Sequence, residues 1–243
     1  MNLGIHDLKI FQSAMDELGI ALEPSQMDQF MKYYEILVEW NRFMNLTAIT
    51  EFNDVCTKHF IDSISLCKVL DCSKEQTLID VGTGAGFPGI PLKIVFPNLT
   101  VTLLDSLGKR VNFLNTVIDE LRLEKIEAIH GRAEDYAKPD LLREKYDICV
   151  SRAVANLASL SEYCLPYVKT NGFFVSYKSE KVSEEIQNAK KAIALLGGEI
   201  FHQEEFILPH SDIYRNLLVL RKVKATPKKY PRKAGLPTKE PLK

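Results

Sequence analysis

Leu78–Gly89 reads LIDVGTGAGFPG. Thr77–Asp80 has the look of a short buried strand that ends in an acid, and glycines follow at 82, 84 and 86. Pro88 then stands where a helix can take its first residue, since the N–H that proline lacks is unpaired there anyway. Strand, glycine turn and helix, in that order, form a nucleotide-binding crossover. Glycine suits such a turn because no Cβ keeps the backbone away from a ligand. A dinucleotide fingerprint, GxGxxG, would place its third glycine at position 87, but Phe87 stands there. Its ring would obstruct the close packing and the pyrophosphate approach that a glycine permits. The alternative is a tight turn in an α/β domain of some other purpose.

The GxGxG form, after an apolar strand ending in an acid, resembles the first motif of class I methyltransferases, which bind S-adenosylmethionine. That fold places a second acid at the end of its second strand for the ribose hydroxyls. Thr100–Asp105 ends in Asp105, 19 residues after Gly86, close to the usual spacing of about 20 for ribose-binding acids. A carboxylate can accept from two hydroxyls at once, although a surface acid at a strand end would look the same. Ser106 and Leu107 would flank the ribose and adenine. Lys109 and Arg110 open the next helix, solvated or facing substrate phosphate.

The 243 residues suffice for one domain with a small appendage, and 46% hydrophobic against 26% charged residues is enough for a packed core. The net charge of −1 argues neither for nor against nucleic acid, but its distribution is uneven. Nine Lys or Arg and a single acid, Glu240, fall between Arg221 and Lys243, so the remainder is net acidic. No apolar run approaches the roughly 20 residues of a membrane span. The amino terminus lacks a signal-peptide layout. The five cysteines form no CxxC pair and read as free thiols in a reducing cytosol. Cys149 and Cys164 lie in apolar runs and read as core.

Two helices are expected first. Leu8, Phe11, Met15 and Leu18 give one apolar face, stopped at Gly19. A second helix, capped by Ser25, carries a stripe from Met27 to Val38 and ends at Trp40. A third stretch covers Lys58–Leu70. From Thr77 onward strands and helices alternate. Strands are expected at Thr77–Val81, Thr100–Asp105, Ile126–His130, Tyr146–Ser151, Gly172–Lys178, Glu199–Leu208 and Arg215–Val223. Helices are expected at Pro91–Phe96, Lys109–Leu121, Leu157–Val168 and Val182–Leu196. The fold class is therefore α/β: a doubly wound, mostly parallel seven-stranded sheet closed by an antiparallel hairpin, the class I methyltransferase layout. The expected division is a helical cap over 1–72, a Rossmann-like core over 73–224 and an extended basic tail over 225–243. The tail is either a solvated end or an arm whose Lys and Arg neutralise RNA phosphates while Tyr230 stacks.

After the third strand comes His130-Gly131-Arg132-Ala133-Glu134-Asp135. In this fold that loop borders the adenine, and the Ala133 and Glu134 amides and the Glu134 carboxylate could read its amino group. A lone His at a strand end, His130, is expected to be structural. The fourth strand ends in Ser151-Arg152-Ala153, on the sheet edge where ligands sit. No Pro-Cys nucleophile occurs there, and Cys149 lies inside the strand.

The residues then carry a specific resemblance, to the RsmG (GidB) family of bacterial small-subunit rRNA guanine-N7 methyltransferases. It rests on GTGAGFPGIPL at 82–92, LLDSLGKRVNFL at 103–114, GRAEDY at 131–136 and SRAVA at 151–155. NLTAI at 45–49, KHFIDSI at 58–64 and the carboxyl-terminal RNLLVLRKVKATPKKYPRKAGLPTKEPL extend it nearly end to end. The departure is Thr83, where many members carry Ser; the hydroxyl is kept. The resemblance implies a cytoplasmic enzyme that binds S-adenosylmethionine and methylates N7 of guanine 527 of 16S rRNA, in the small subunit or its precursor. It implies a cofactor site of Gly82, Gly84, Gly86, Phe87, Asp105, Ser106, Leu107, Ala133, Glu134 and Arg152. Arg152 would also position substrate, with no general base. Candidates for substrate or RNA contact are Asn45, His59, Asp62, Ser63, Arg132, Lys178, Lys228, Lys229 and Arg232. His59, Asp62 and Ser63 share one helical face, and either shape a guanine pocket or tie the cap to the core. No metal is expected, and the default assembly is a monomer. The alternatives are a small-molecule methyltransferase of the same fold, which has no need of a basic tail, and a non-catalytic ribosome-assembly factor.

Overall fold

The computed structural model describes residues 5–152, 155–179 and 182–242, with side chains from Leu8 onward. Ala153 and Val154 of the SRAVA stretch lie outside the described residues.

The helical amino-terminal part comprises α1 (Ile5–Glu17), α2 (Pro24–Met44) and a continuous helical segment. That segment runs from α3 (Phe52–Val55) through a π turn (Cys56–Ile61) and α4 (Asp62–Ile64) to a 3₁₀ turn (Ser65–Lys68). It therefore starts six residues ahead of the expected Lys58. Phe52, Val55, Cys56 and Phe60 are all buried and carry the apolar spacing of that extra turn. The cap of α2 is Glu23, not Ser25: Gln26 Oε1 accepts from the Glu23 N–H at 2.9 Å, and Pro24 takes the first helical position. The helix continues past Trp40 to Met44 and ends where Asn45 adopts φ 50°, ψ 53°.

The core is a seven-stranded sheet of order β3-β2-β1-β4-β5-β7-β6. Its strands are β1 (Thr77–Val81), β2 (Thr100–Asp105), β3 (Ile126–His130), β4 (Tyr146–Arg152), β5 (Val168–Lys178), β6 (Gly198–Ile207) and β7 (Tyr214–Lys222). All pairings among β1 to β5 are parallel, and β7 is antiparallel to both β5 and β6. This is the class I methyltransferase topology. The strand order reverses between β1 and β4, so the crevice at their carboxyl ends is where such a sheet binds ligands.

The helices α5 (Gly89–Val95), α6 (Gly108–Glu120), α7 (Ala133–Tyr136), α8 (Leu157–Cys164) and α9 (Ser183–Leu195) connect the strands. One apolar cluster joins α1 and α2 to α5, α6 and one face of the sheet; a second joins α8 and α9 to the other. Helix α8 stops at Cys164, short of the expected Val168, because Pro166 forces a 3₁₀ turn over Leu165–Tyr167. Val168 then belongs to β5, paired with Tyr146.

The tail differs most from expectation. It folds back on the core and ends in a short helix, α10 (Leu236–Lys239). Arg232, expected on RNA, is bound to Glu162: Nη2–Oε2 is 2.7 Å and Nε–Oε1 2.9 Å, and Glu162 is fully buried. Tyr230, which the RNA-arm reading would stack on a base, is buried, and its carbonyl accepts from Arg143 Nη1 at 2.8 Å. Lys222 is fully buried and donates to the Leu165 carbonyl at 2.6 Å and the Thr226 hydroxyl at 2.8 Å. Burial pulls its ammonium down to about 8, against the opposing pull of Glu144. These cations hold the tail in place. Lys228 and Lys229 remain exposed.

Candidate active site

The glycine turn is built as its spacing predicts. Gly82, Gly84 and Gly86 have φ of 72°, 63° and 93°. A Cβ on Gly86 would lie 2.5 Å from Ile90 Cδ1 and 2.7 Å from Tyr33 Oη, so the site admits only glycine. Tyr33 donates its hydroxyl to the Ala85 carbonyl and thereby ties α2 to the turn. Beneath the turn lies Asp80, fully buried. Its Oδ2 accepts from the Thr83 hydroxyl at 2.7 Å and the Gly89 amide at 2.8 Å. Its Oδ1 has no partner among the described residues. Burial pushes the carboxyl up to about 6, against the two hydrogen bonds, which favour the charged form.

Two cavities open at the carboxyl ends of the strands. The first, about 350 Å³, lies over β1, β2 and β3. Gly82, Ser106, Arg132, Ala133 and Glu134 line it, together with Tyr163, Gly235 and Thr238. Asp105 sits at the end of β2 as expected, but its carboxylate turns into the glycine loop. Oδ2 accepts from the Gly84 amide at 2.9 Å and Oδ1 from the Leu107 amide at 2.9 Å, with Arg110 at 3.4 Å. It is 3% exposed and shapes the turn, with lone pairs left for a ribose. Leu107 precedes α6, is 43% exposed and does not line the cavity. The Ala133 carbonyl accepts from Tyr167 Oη at 2.6 Å, and Glu134 Oε1 from the Gly235 amide at 2.7 Å. His130 Nε2 lies 3.1 Å from the Ser106 carbonyl.

The second cavity, about 630 Å³, lies over β4 and β5; among the described residues its lining holds the cations Lys58, Arg152, Lys178 and Arg215 and one carboxylate, Asp62. Asp62 is 2% exposed and bridges two arginines. Arg152 Nη1 reaches its Oδ2 at 2.8 Å, and Arg215 Nε reaches its Oδ1 at 2.7 Å. Arg152 also donates to the Lys58 carbonyl at 3.1 Å. The π turn presents His59, whose ring stacks on Phe87 at 4.6 Å and 18°. The Arg152 guanidinium lies over the same Phe87 ring at 5.1 Å. Phe87 thus supports the second cavity and is not among the residues lining the first. Thr47 Oγ1 lies 2.9 Å from His59 Nε2. Burial, and then the nearby Arg152 charge, lower the imidazole to about 4, so it is neutral at physiological pH.

Several expected contacts take other roles. Ser63 is fully buried; its hydroxyl donates to the His59 carbonyl and its own carbonyl accepts from Tyr177 Oη at 2.8 Å. Lys178 lines the cavity but is held by Glu185 at 2.8 Å. Asn45 lines neither cavity: it is the left-handed residue that ends α2. Asparagine tolerates that conformation and glycine suits it better. Asn45→Gly is therefore expected to leave methylation unchanged and to raise stability by up to about 1 kcal/mol, read by denaturant midpoint. A tenfold loss of turnover would return Asn45 to the pocket.

Arg215 was not singled out from the sequence, and Asp80 was read only as the acid that ends the first strand, with no place in the site. Arg215 opens an apolar strand, and such a charge reads as a strand boundary. Because β7 is antiparallel, with Asn216 paired to Lys178, its first residues lie beside the carboxyl end of β5 and hence at the ligand edge.

The family model of GidB, described as rRNA small subunit methyltransferase G, matches residues 26–212. The chain is 54% identical to the ribosomal RNA small subunit methyltransferase G of Lachnoclostridium phytofermentans, over 98% of each chain. It is 53% identical to that of Alkaliphilus metalliredigens, over 96% of this chain and 98% of the relative. Among solved structures, M. jannaschii TYW2 in complex with AdoMet superposes with TM-score 0.51 at 16% identity, over 62% of this chain and 71% of that one. A SAM-dependent methyltransferase from Aquifex aeolicus gives TM-score 0.50 at 19% identity, over 68% and 91% of the two chains. These two likenesses concern the fold. Motifs, family model and near full-length identity together place the chain in the rRNA small subunit methyltransferase G family.

Proposed function

We propose that this protein transfers a methyl group from S-adenosylmethionine to N7 of a guanine, nucleotide 527, in 16S rRNA of the small subunit or its precursor. The observation that carries this reading is the cationic cavity around the Arg152–Asp62–Arg215 bridge, next to the glycine turn. The first cavity and the turn fit the cofactor. Three positive-φ glycines let its methionine part approach the backbone, and the orphaned Asp80 Oδ1 calls for a donor such as its ammonium. Ser106 and the Ala133–Glu134 segment offer polar groups for the ribose and adenine.

When bound, S-adenosylmethionine supplies an electrophilic methyl group. Guanine N7 carries a lone pair and no proton, so it would accept that methyl group without a base, and the positive charge lost by the sulfonium would pass to the purine. No deprotonation is needed, which agrees with the described lining of the second cavity. Arginines stay protonated, and His59, its imidazole lowered to about 4 by burial, is a weak base. The work left to the protein is positioning, which in the best models contributes about 7–11 kcal/mol. The Arg152 fork is suited to a phosphate or the guanine O6. The ring of Phe87 offers a face to a cation, as it already does to Arg152.

Outside the cavities, Lys228 and Lys229 are exposed on the folded tail; Arg132, in the lining of the first cavity, is also exposed. Replacing both lysines by Ala is expected to weaken rRNA binding without changing which guanine is methylated. The slope of log K against log salt should fall by about 1 per lysine. An unchanged slope would remove the tail from the RNA interface. We further propose a cytoplasmic monomer in which residues 1–72 form the cap, 73–224 the core and 225–243 the tail. No helix among the described residues is long and apolar enough to cross a membrane.

The test is incubation with labelled S-adenosylmethionine and small-subunit rRNA from cells lacking the enzyme, followed by cleavage at 7-methylguanine. A single labelled guanine at 527 supports the reading. Label on subunits but not on free RNA makes the particle the substrate. No label on either, with cofactor bound, overturns it in favour of a small molecule or a binding role.

A further inference from the structure

We infer that the carboxyl-terminal tail is part of the cofactor site: Gly235 and Thr238 form the wall facing the 6-amino edge of the adenine. The inference rests on reading the first cavity as the S-adenosylmethionine pocket. The tail lies beyond residue 212, where the family model's match ends, and the carboxyl-terminal resemblance carries no role in cofactor binding.

The first cavity is made by two groups of residues. Gly82, Ser106 and the Gly131–Glu134 segment come from the ends of β1, β2 and β3. Gly235 and Thr238 come from the tail, and Tyr163 from α8 beneath it. The contacts between the groups are specific. The Gly235 amide donates to Glu134 Oε1 at 2.7 Å. The Thr238 and Tyr163 hydroxyl oxygens are 2.6 Å apart. The fully buried Ser159 hydroxyl donates to the Pro237 carbonyl at 2.7 Å. Gly235 makes this turn with φ of 80°, and a Cβ there would meet nothing within 4 Å.

This wall is rigidly set. Arg232, immediately ahead of it, grips the buried Glu162, and the Arg143 guanidinium donates to the tail carbonyls of Pro227 at 3.3 Å and Tyr230 at 2.8 Å. One consequence concerns Glu134. The Gly235 amide holds Oε1 and so fixes the carboxylate, while no described residue donates to Oε2. A fixed carboxylate oxygen accepts hydrogen bonds and rejects acceptors. Of the polar groups on the adenine ring only the exocyclic amine donates, so the amine is what that oxygen selects. Gly235 and Thr238 close the space beyond it.

The experiment uses S-adenosylhomocysteine, which binds without reacting, and its N6-benzyl derivative, each titrated calorimetrically. One variant ends at Lys233. It keeps Lys222, Tyr230 and the Arg232–Glu162 pair, which anchor the tail, and removes the wall together with the Arg232 contact to the Glu240 carbonyl. The intact chain is expected to bind S-adenosylhomocysteine at least tenfold more tightly than its N6-benzyl derivative. In the shortened chain S-adenosylhomocysteine should bind about tenfold more weakly, and the discrimination should vanish. In the full-length chain, Thr238→Trp, at an exposed position, should also weaken S-adenosylhomocysteine about tenfold with no fall in Tm. Equal affinity and equal discrimination with and without residues 234–243, or an unaffected Thr238→Trp, would overturn the wall alone. An intact chain that binds no S-adenosylhomocysteine would overturn the cofactor reading, and the wall with it.

Discussion

Arg152→Ala is expected to lower kcat/KM on small-subunit rRNA by ~10²–10³, roughly 3–4 kcal/mol, while the Kd for S-adenosylhomocysteine changes less than about threefold. The split follows from where the guanidinium lies. Arg152 lines the second cavity and not the first, and its contacts include Asp62, the Lys58 carbonyl, His59 Nδ1 and the Phe87 face. Its loss removes the fork offered to substrate and leaves Asp62, 2% exposed, with Arg215 as its remaining ion-pair partner. Arg152→Lys keeps the charge but not the fork and should fall between, about 10- to 100-fold below the parent. Arg215→Ala should behave similarly. Because both arginines share one carboxylate, the double variant should lose less than the sum of the singles. Full activity in Arg152→Lys would sink the anchoring role. An equal loss of turnover and of S-adenosylhomocysteine affinity would move Arg152 to the cofactor side.

How far the sequence could be read varies with the range of the interactions involved. Strands showed as apolar runs between turn residues, and all seven lie where expected, with end shifts traceable to single residues. Pro166 shortens α8 and hands Val168 to β5. Glu23 takes the cap from Ser25 because Pro24 occupies the first turn. The site was legible where a motif fixes the backbone: the glycine turn, the strand-end acid Asp105 and Arg152 lie at the ligand edge.

It was not legible where a side chain's partner is distant in the chain. Asp105 and Gly84, Asp62 and Arg215, and Glu134 and Gly235 are pairs that only the folded sheet brings together. The tail shows this most clearly. Lysine and proline in its composition suggest a solvated strand, yet Arg232 has its partner 70 residues upstream at Glu162. A cation whose carboxylate lies on another element cannot be told from a free one by composition.

Asp80→Asn is expected to raise Tm at pH 7.5 and at the same pH to weaken S-adenosylhomocysteine ~10- to 100-fold, a loss of about 1.5–3 kcal/mol for a charge-assisted hydrogen bond. An ordinary core residue would not show both effects. Asp80 is fully buried, and burial raises its carboxyl from 3.8 to about 6. Between those values the folded chain holds a proton that the unfolded chain has released. Stability from this group is therefore present below pH 4 and lost as pH rises through 6, to the extent of about 3 kcal/mol at most. Asparagine removes that cost, so the variant's advantage should be full at pH 7.5 and gone near pH 4. His59 acts in the opposite sense. Its imidazole is lowered from 6.5 to about 4, so its contribution to stability is present above pH 6.5 and lost as pH falls toward 4. In the parent the two contributions oppose one another across this window. In Asp80→Asn only the His59 contribution remains, and stability should fall more steeply on acidification. A charge kept in the core at such a cost, with Oδ1 unpartnered, is explained by a cationic ligand that pairs with it. If Asp80→Asn bound S-adenosylhomocysteine as tightly as the parent, that explanation would fail, and Asp80 would serve only to hold Thr83 and Gly89.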